Sequence, residues 1–176
     1  MHAFVDESLQ SSYLLAAAIL KPADLAATRT LLRALRQGPQ PRIHFQTEGD
    51  ARRRKIAAEL VAAGLRTRIY TGRGREEAMR QACLRRLVRD LLAMGTQRLV
   101  LETRGRREDL ADSHTIRTVL GPRPRAAGLE YEHRRAHEEP LLWVPDVVAW
   151  CHGAGGDWRR RVSPLVEAIV DLDCLS

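Results

Sequence analysis

Two apolar runs open the chain and predict its first two elements. Ala3-Phe4-Val5 leads into the acids Asp6 and Glu7 and then Ser8, and Tyr13 to Leu20 follows as a second run of strand length. Acids are among the residues least often buried alone, so carboxylates at the end of an inner strand need an explanation. Either Asp6, Glu7 and Ser8 make a hairpin turn through side-chain to backbone hydrogen bonds, or the acids present oxygen ligands to a hard cation. Pro22 and Asp24 introduce a helical pattern through Arg36, with Leu25, Leu31, Leu32 and Leu35 apolar, and Gly38-Pro39-Gln40-Pro41 ends it. Arg42 to Gln46 reads as a short extended segment. Asp50 then caps a helix that turns Ile56, Leu60 and Val61 inward and stops at Gly64.

Leu65 to Thr71 alternates like a half-buried strand. Gly72-Arg73-Gly74 is a turn, too short and isolated to cradle a phosphate. Glu76 and Glu77 favour a helix start, and Met79, Cys83, Leu87, Val88 and Leu91 recur at helical spacing until Gly95. Leu99-Val100-Leu101 is a compact strand with Glu102 at its carboxyl end. From Arg104 to Pro124 the chain is polar, with a helical patch near Ile116 to Leu120, and Leu129 to His133 alternates again. After Pro140, Leu141 to Trp150 is apolar except for Asp146, and Pro145 suits the first turn of a helix. Gly153-Ala154-Gly155-Gly156 breaks that helix, and Val162 to Asp173 is either a helix or a last strand. No internal repeat is present. This order predicts a single α/β domain, 1–176, around a mixed sheet flanked by helices, with ligands at the carboxyl ends of the strands.

Charge adds a partner to this picture. Lys and Arg number 29 against 22 Asp and Glu, a formal charge of +7, and lysine occurs only at Lys21 and Lys55. Arginines facing phosphates gain affinity by releasing counterions, so nucleic acid, DNA or RNA, is the leading partner; a coding bias toward arginine is the alternative. Arg52-Arg53-Arg54, Arg85-Arg86-Arg89 and Arg159-Arg160-Arg161 are candidates for a phosphate track, although consecutive arginines on a helix fan out around its axis. No stretch approaches the roughly 20 apolar residues that span a bilayer, and no lipidation motif is present. The chain therefore reads as cytoplasmic with no membrane partner, and a protein partner or homo-oligomer is compatible with it. Cys83, Cys151 and Cys174 are odd in number and far apart, which predicts free, largely buried thiols. Trp143 and Trp150 lie two helical turns apart and read as one core stripe rather than a base-stacking platform.

Asp6, Glu102 and Asp146 each interrupt apolar surroundings. If the first and fourth strands are neighbours and the late helix crosses their ends, the three converge, and their repulsion calls for a cation such as Mg2+ or Mn2+. Two such ions about 4 Å apart can activate water and stabilise the leaving oxygen in phosphodiester cleavage. Taken singly, Glu102 has a bland alternative, a strand-end salt bridge with Arg104, Arg106 or Arg107. Asp146 has another, compensation by its helix dipole. Glu7 is a further metal-ligand candidate. Asp109 and Asp112 are reserves in a polar stretch, where a solvated face is the default. His44, between Ile43 and Phe45, is either a proton shuttle or ligand, or a structural histidine.

Val5-Asp6-Glu7-Ser8, Ile43-His44-Phe45 and Leu142-Trp143-Val144-Pro145-Asp146-Val147-Val148-Ala149-Trp150 resemble the family called domain of unknown function 3800. The resemblance extends over nearly the whole chain on short motifs. It implies a ribonuclease H-like fold with Asp6 as the first acid and Asp146 as the last, and with Glu102 matching the acid after the fourth sheet strand in the wider superfamily. Two positions depart from the pattern: Leu9 stands where glycine usually follows the serine, and Pro145 where alanine commonly precedes the aspartate. The family has no settled substrate. The expected function is a divalent-metal-dependent nuclease or nucleic-acid phosphoryl-transfer enzyme, with Asp6, Glu102, Asp146 and His44 catalytic and Asp6, Glu102, Asp146 and Glu7 on the metal. A catalytically silent nucleic-acid-binding or protein-interaction module on the same fold is the first alternative. A PIN-type nuclease is the second, separable because its sheet is parallel whereas a ribonuclease H-like sheet begins with antiparallel strands.

Overall fold

Tyr13 to Leu20, apolar at every position, forms an inner strand buried along its whole length. A computed structural model describes residues 1–9, 12–122 and 127–175. Strand β1 (His2–Leu9) pairs antiparallel with β2 (Tyr13–Leu20), and β2 pairs antiparallel with β3 (Arg66–Gly72). On the other side of β1, β4 (Arg98–Glu102) and then β5 (Glu130–Arg134) are parallel additions, and β6 (Val166–Asp171) lies parallel to β3 at the opposite edge. The sheet order is β5-β4-β1-β2-β3-β6. This antiparallel start excludes the all-parallel sheet of a PIN-type nuclease.

Because side chains alternate across a strand, the inner strands feed two cores. Phe4, Leu14, Ala18 and Val100 pack on one face beneath α1 (Leu25–Leu35), α2 (Asp50–Ala62) and α5 (Trp143–Ala154). Ala3, Val5, Leu15, Ala17, Leu99 and Leu101 pack on the other beneath α3 (Glu76–Ala93) and α4 (Arg106–Leu120). A short α6 (Gly156–Val162) follows α5 after Gly155, whose φ of 70° lies in the left-handed region that glycine adopts without strain. Among the described residues, no helix is long and apolar enough to cross a membrane. Cys83 and Cys151 are buried free thiols, and Cys174 is exposed.

Three local expectations are corrected. Arg42 to Gln46 is not a strand: Ile43 and Phe45 alternate inward, but the segment is coil ending in a 3-10 turn, Phe45–Thr47. Among the described residues no strand pairs with it, and its backbone groups are met by side chains instead. The Phe45 N–H donates to Asp146, while Arg53 donates to the carbonyls of Phe45 and Gln46. Asp50 is the first residue of α2, with Gly49 in the capping position. The polar stretch after Arg104 is a full helix, α4, rather than a patch; its reading as far as Pro124 passes outside the described residues. The apolar period of α4 is hidden because Asp112 and Thr115 occupy inward positions.

Those inward positions meet a buried polar network instead of aliphatic side chains, so Asp112 is not on a solvated face. Asp112 is fully buried and Arg80 nearly so, and the Arg80 guanidinium donates to both Asp112 oxygens at 2.6 to 3.2 Å. Arg80 also pairs with Glu7, whose carboxylate accepts the Tyr13 hydroxyl at 2.7 Å. The network thus ties α3 and α4 to the end of β1. Burial alone pushes the Asp112 carboxyl up, but the hydrogen bonds and charge of Arg80, helped by Arg104, win and hold it well below the usual carboxylate range.

Arg80→Ala would strand two acids without their cation, and should cost about 3–5 kcal/mol, lowering the thermal midpoint by on the order of 10 °C. Because the Asp112 carboxyl sits lower in the folded chain than in the unfolded one, its stabilisation is present above the ordinary carboxylate pKa and lost as pH falls toward its folded value. Urea melts should therefore show stability declining below about pH 4 in the parent chain, and less steeply in Asp112→Asn.

Candidate active site

Alternation along β1 sends its two acids to opposite faces. Asp6 follows Phe4 onto the α5 side, and Glu7 follows Val5 onto the α3 side. In the parallel pairing of β1 with β4, Val5 stands opposite Leu101. One residue further, Asp6 comes beside Glu102, and the two carboxyls hydrogen-bond to each other. Helix α5 packs across this face and carries Asp146 in its first turn, directly after Pro145, whose missing N–H goes unnoticed there. All three acids line one cleft of about 670 Å3, together with Arg42, His44, Thr103, Arg104 and Trp150.

The acids are held in an unfavourable setting for charge. Burial, then the Glu102 and Asp146 carboxylates, raise the Asp6 carboxyl well above its ordinary value. Asp146 is pushed up to about 6, chiefly by burial and also by Glu102, against the Phe45 N–H at 3.3 Å and the nearby His44 and Arg42. Glu102 also accepts from Arg42 Nη1 at 2.9 Å, and this ion pair replaces the expected one with Arg104, Arg106 or Arg107. Hard carboxylate oxygens are the donors Mg2+ or Mn2+ takes, so the chemistry of the set fits such a cation. Among the described residues, however, no group of three or more His, Cys, Asp or Glu side chains is arranged to hold one; Glu102 is divided between Arg42 and Asp6.

Glu7 stands apart from the other three acids. It borders the cleft, but its carboxylate is already neutralised from the other face by Arg80 and the Tyr13 hydroxyl, with Arg104 Nε 3.6 Å away. His44 does reach the cleft, beside Asp146, because the 3-10 turn that follows it is fastened by Arg53. Asp109 accepts from the Thr103 hydroxyl and the Arg104 N–H, capping the approach to α4 rather than entering the acid cluster.

Trp143 and Trp150 share one core, with Trp150 at its edge. Trp143 is core, its indole N–H donating to the Ala136 carbonyl at 2.6 Å. Trp150 lies four residues after Asp146 and so shares its face of the helix. It forms a wall of the cleft, edge-on to Phe45 (5.3 Å) and Trp158 (5.6 Å), with the Arg53 guanidinium 4.3 Å from its ring. The arginine groups do not make one track. Arg52 and Arg53 turn back to carbonyls of their own chain, Arg86 pairs with Asp90 on the far side of the sheet, and Arg160 and Arg161 pair with Asp157. The arginines that line the cleft, Arg42 and Arg104, belong to none of those groups. For Arg42 the only sequence signal is its place next to Ile43-His44-Phe45.

No family model matches the chain, and no curated protein matches it. Among solved structures, it is similar to a chain in the structure of the PCNA:RNase HII complex from Archaeoglobus fulgidus, with a TM-score of 0.50 and 11% sequence identity, covering 85% of this chain and 70% of that one. At that identity the likeness concerns the fold alone. The chain has an α/β fold of ribonuclease H-like architecture, a six-stranded mixed sheet flanked by helices.

Proposed function

We propose that this chain is a divalent-cation-dependent nuclease or nucleic-acid phosphoryl-transfer enzyme, with Asp6, Glu102 and Asp146 as the cation ligands. The observation that carries the reading is the side-by-side placement of Asp6 and Glu102 at the ends of β1 and β4, with Asp146 brought into the same cleft by α5. The short motifs that resemble domain of unknown function 3800 meet that cleft at Asp6, His44 and Asp146, which bears on the fold more than on the activity. Bound Mg2+ or Mn2+ would supply Lewis-acid polarisation of the phosphodiester and a more acidic water. The residues of the chain then have distinct tasks. Asp6 and Asp146 would hold the cation through their carboxylates, and His44, next to Asp146, would take or deliver a proton at the reacting oxygen. Arg104 supplies positive charge at the rim for a phosphate of the backbone, and Trp150 gives the cleft an apolar wall.

A second reading, a non-catalytic nucleic-acid-binding module, is favoured by one observation: Glu102 is paired with Arg42 instead of standing ready for a cation. Two measurements separate the readings. In a cleavage assay on labelled DNA and RNA with Mg2+ or Mn2+, Asp6→Asn should lower the rate at least roughly 100-fold, more than the loss of an outer-shell partner costs. Undiminished cleavage by that variant would point to another site.

The second measurement is thermal. At 100 times its dissociation constant, Mn2+ should add about 2.7 kcal/mol to the native state, a rise in melting temperature on the order of 5–10 °C. Asp146→Asn should lose most of that rise. The Asp146 carboxyl titrates higher in the folded chain than in the unfolded one, so its favourable contribution is present at low pH and lost as pH rises through about 6. Asn should therefore raise the metal-free melting temperature at pH 7 and leave it nearly unchanged at pH 4. A silent module would show no response to Mn2+ in the parent chain.

A further inference from the structure

We propose that Arg42 is a phosphate-binding residue of the cleft that guards Glu102 while no cation is bound, so that cation entry and release of Arg42 toward the substrate are one exchange. This rests on the cation-dependent reading above and assigns that reading a residue outside its acid set.

The geometry of Glu102 carries the inference. One of its oxygens accepts from Arg42 Nη1 at 2.9 Å, and its carboxyl also hydrogen-bonds with Asp6. Glu102 is thus already engaged by a monovalent cation on the oxygen a metal ion would take. A divalent cation bound through that oxygen would displace Arg42, because a guanidinium and a metal ion cannot occupy the same oxygen. Arg42 is well suited to yield. It lies in coil between α1 and the turn at Phe45–Thr47, and its side chain is 34% exposed. Among the described residues, Glu102 is its one hydrogen-bond partner. An ion pair this exposed is worth roughly 0.2–1 kcal/mol, a small cost for a competing divalent cation to overcome.

Once displaced, the guanidinium stays at the mouth of the cleft, which Arg42 lines together with the acids. Its planar fork matches a phosphate bidentately. Arg104, the other arginine of the cleft, is less free to turn outward. It sits on Glu77 at 3.3 Å and lies 3.6 Å from both Glu7 and Asp112. Arg42 is therefore the cleft's mobile cation, and the class of ligand it takes is a phosphodiester backbone.

The test uses the full chain and Arg42→Gln, with Mn2+ alone and with a single-stranded phosphorothioate oligonucleotide, which resists cleavage while keeping the backbone charge. By calorimetric titration, Arg42→Gln should bind Mn2+ about 1.5- to 5-fold more tightly than the parent, the range set by removing an exposed ion pair. With Mn2+ present, it should bind the oligonucleotide several-fold more weakly, with a salt slope shallower by about 0.7, the share of one phosphate contact on a single strand. Without Mn2+ the two proteins should bind the oligonucleotide alike, since Arg42 is then held by Glu102. Unchanged or weaker Mn2+ binding by Arg42→Gln would overturn the exchange, as would equal oligonucleotide affinity with Mn2+ present, and in both cases the cation-dependent reading would survive. A parent chain that fails to bind Mn2+ at all would overturn both.

Discussion

Parallel hydrogen bonding between β1 and β4 sets the positions on which the rest of the cleft depends. It runs Val5 against Leu101 and so brings the next residue of each strand, Asp6 and Glu102, out at the same sheet end on the same face. Each strand alone is a short apolar run ending in an acid. Only as neighbours do they bring two carboxyls together, and Glu102 then helps burial raise the Asp6 carboxyl well above its ordinary value. The helix α5 completes the arrangement because its apolar side must pack on β1 and β2, and that packing fixes where its first turn, with Asp146, comes to rest.

The two adjacent acids of β1 show how alternation turns similar residues to different ends. Glu7 enters the α3 side, where Arg80, Tyr13 and Asp112 receive it in a paired, buried network that fastens the strand end from behind. Asp6 enters the α5 side, where it meets further carboxyls and its proton is held tightly. A buried charge that is paired contributes to the structure, and one kept among like charges is a cost that the surrounding fold must carry.

The arginine excess serves several purposes. Arg53 holds the carbonyls of Phe45 and Gln46 and lies over Trp150, so it shapes the loop that delivers Arg42 and His44. Arg52 turns to the Leu35 carbonyl, and Arg80 is a core residue. Net charge therefore overstates the positive surface open to a polyanion: the guanidinium groups nearest the acids are single residues from separate segments, not the consecutive triplets.

Much of the fold was legible in the chain. Hydrophobic alternation and turn residues located β1 to β4 and the helix α3, since those elements bury aliphatic side chains at regular spacing. The acids Asp6, Glu102 and Asp146 stood out for the complementary reason, each interrupting an apolar run. Pattern failed where a different chemistry filled the inward positions. Asp112 and Thr115 disguised most of α4, and Ile43 and Phe45 imitated a strand that no neighbouring strand pairs with. The sequence by itself determined which segments are apolar and where their charges interrupt them, because burial is decided residue by residue. Tertiary structure alone decided that Glu102 meets Arg42, that Glu7 meets Arg80, and that Trp150 faces the cleft while Trp143 does not. Those contacts join residues far apart in the chain, and no local spacing encodes which distant partner the packed sheet and helices will bring within reach.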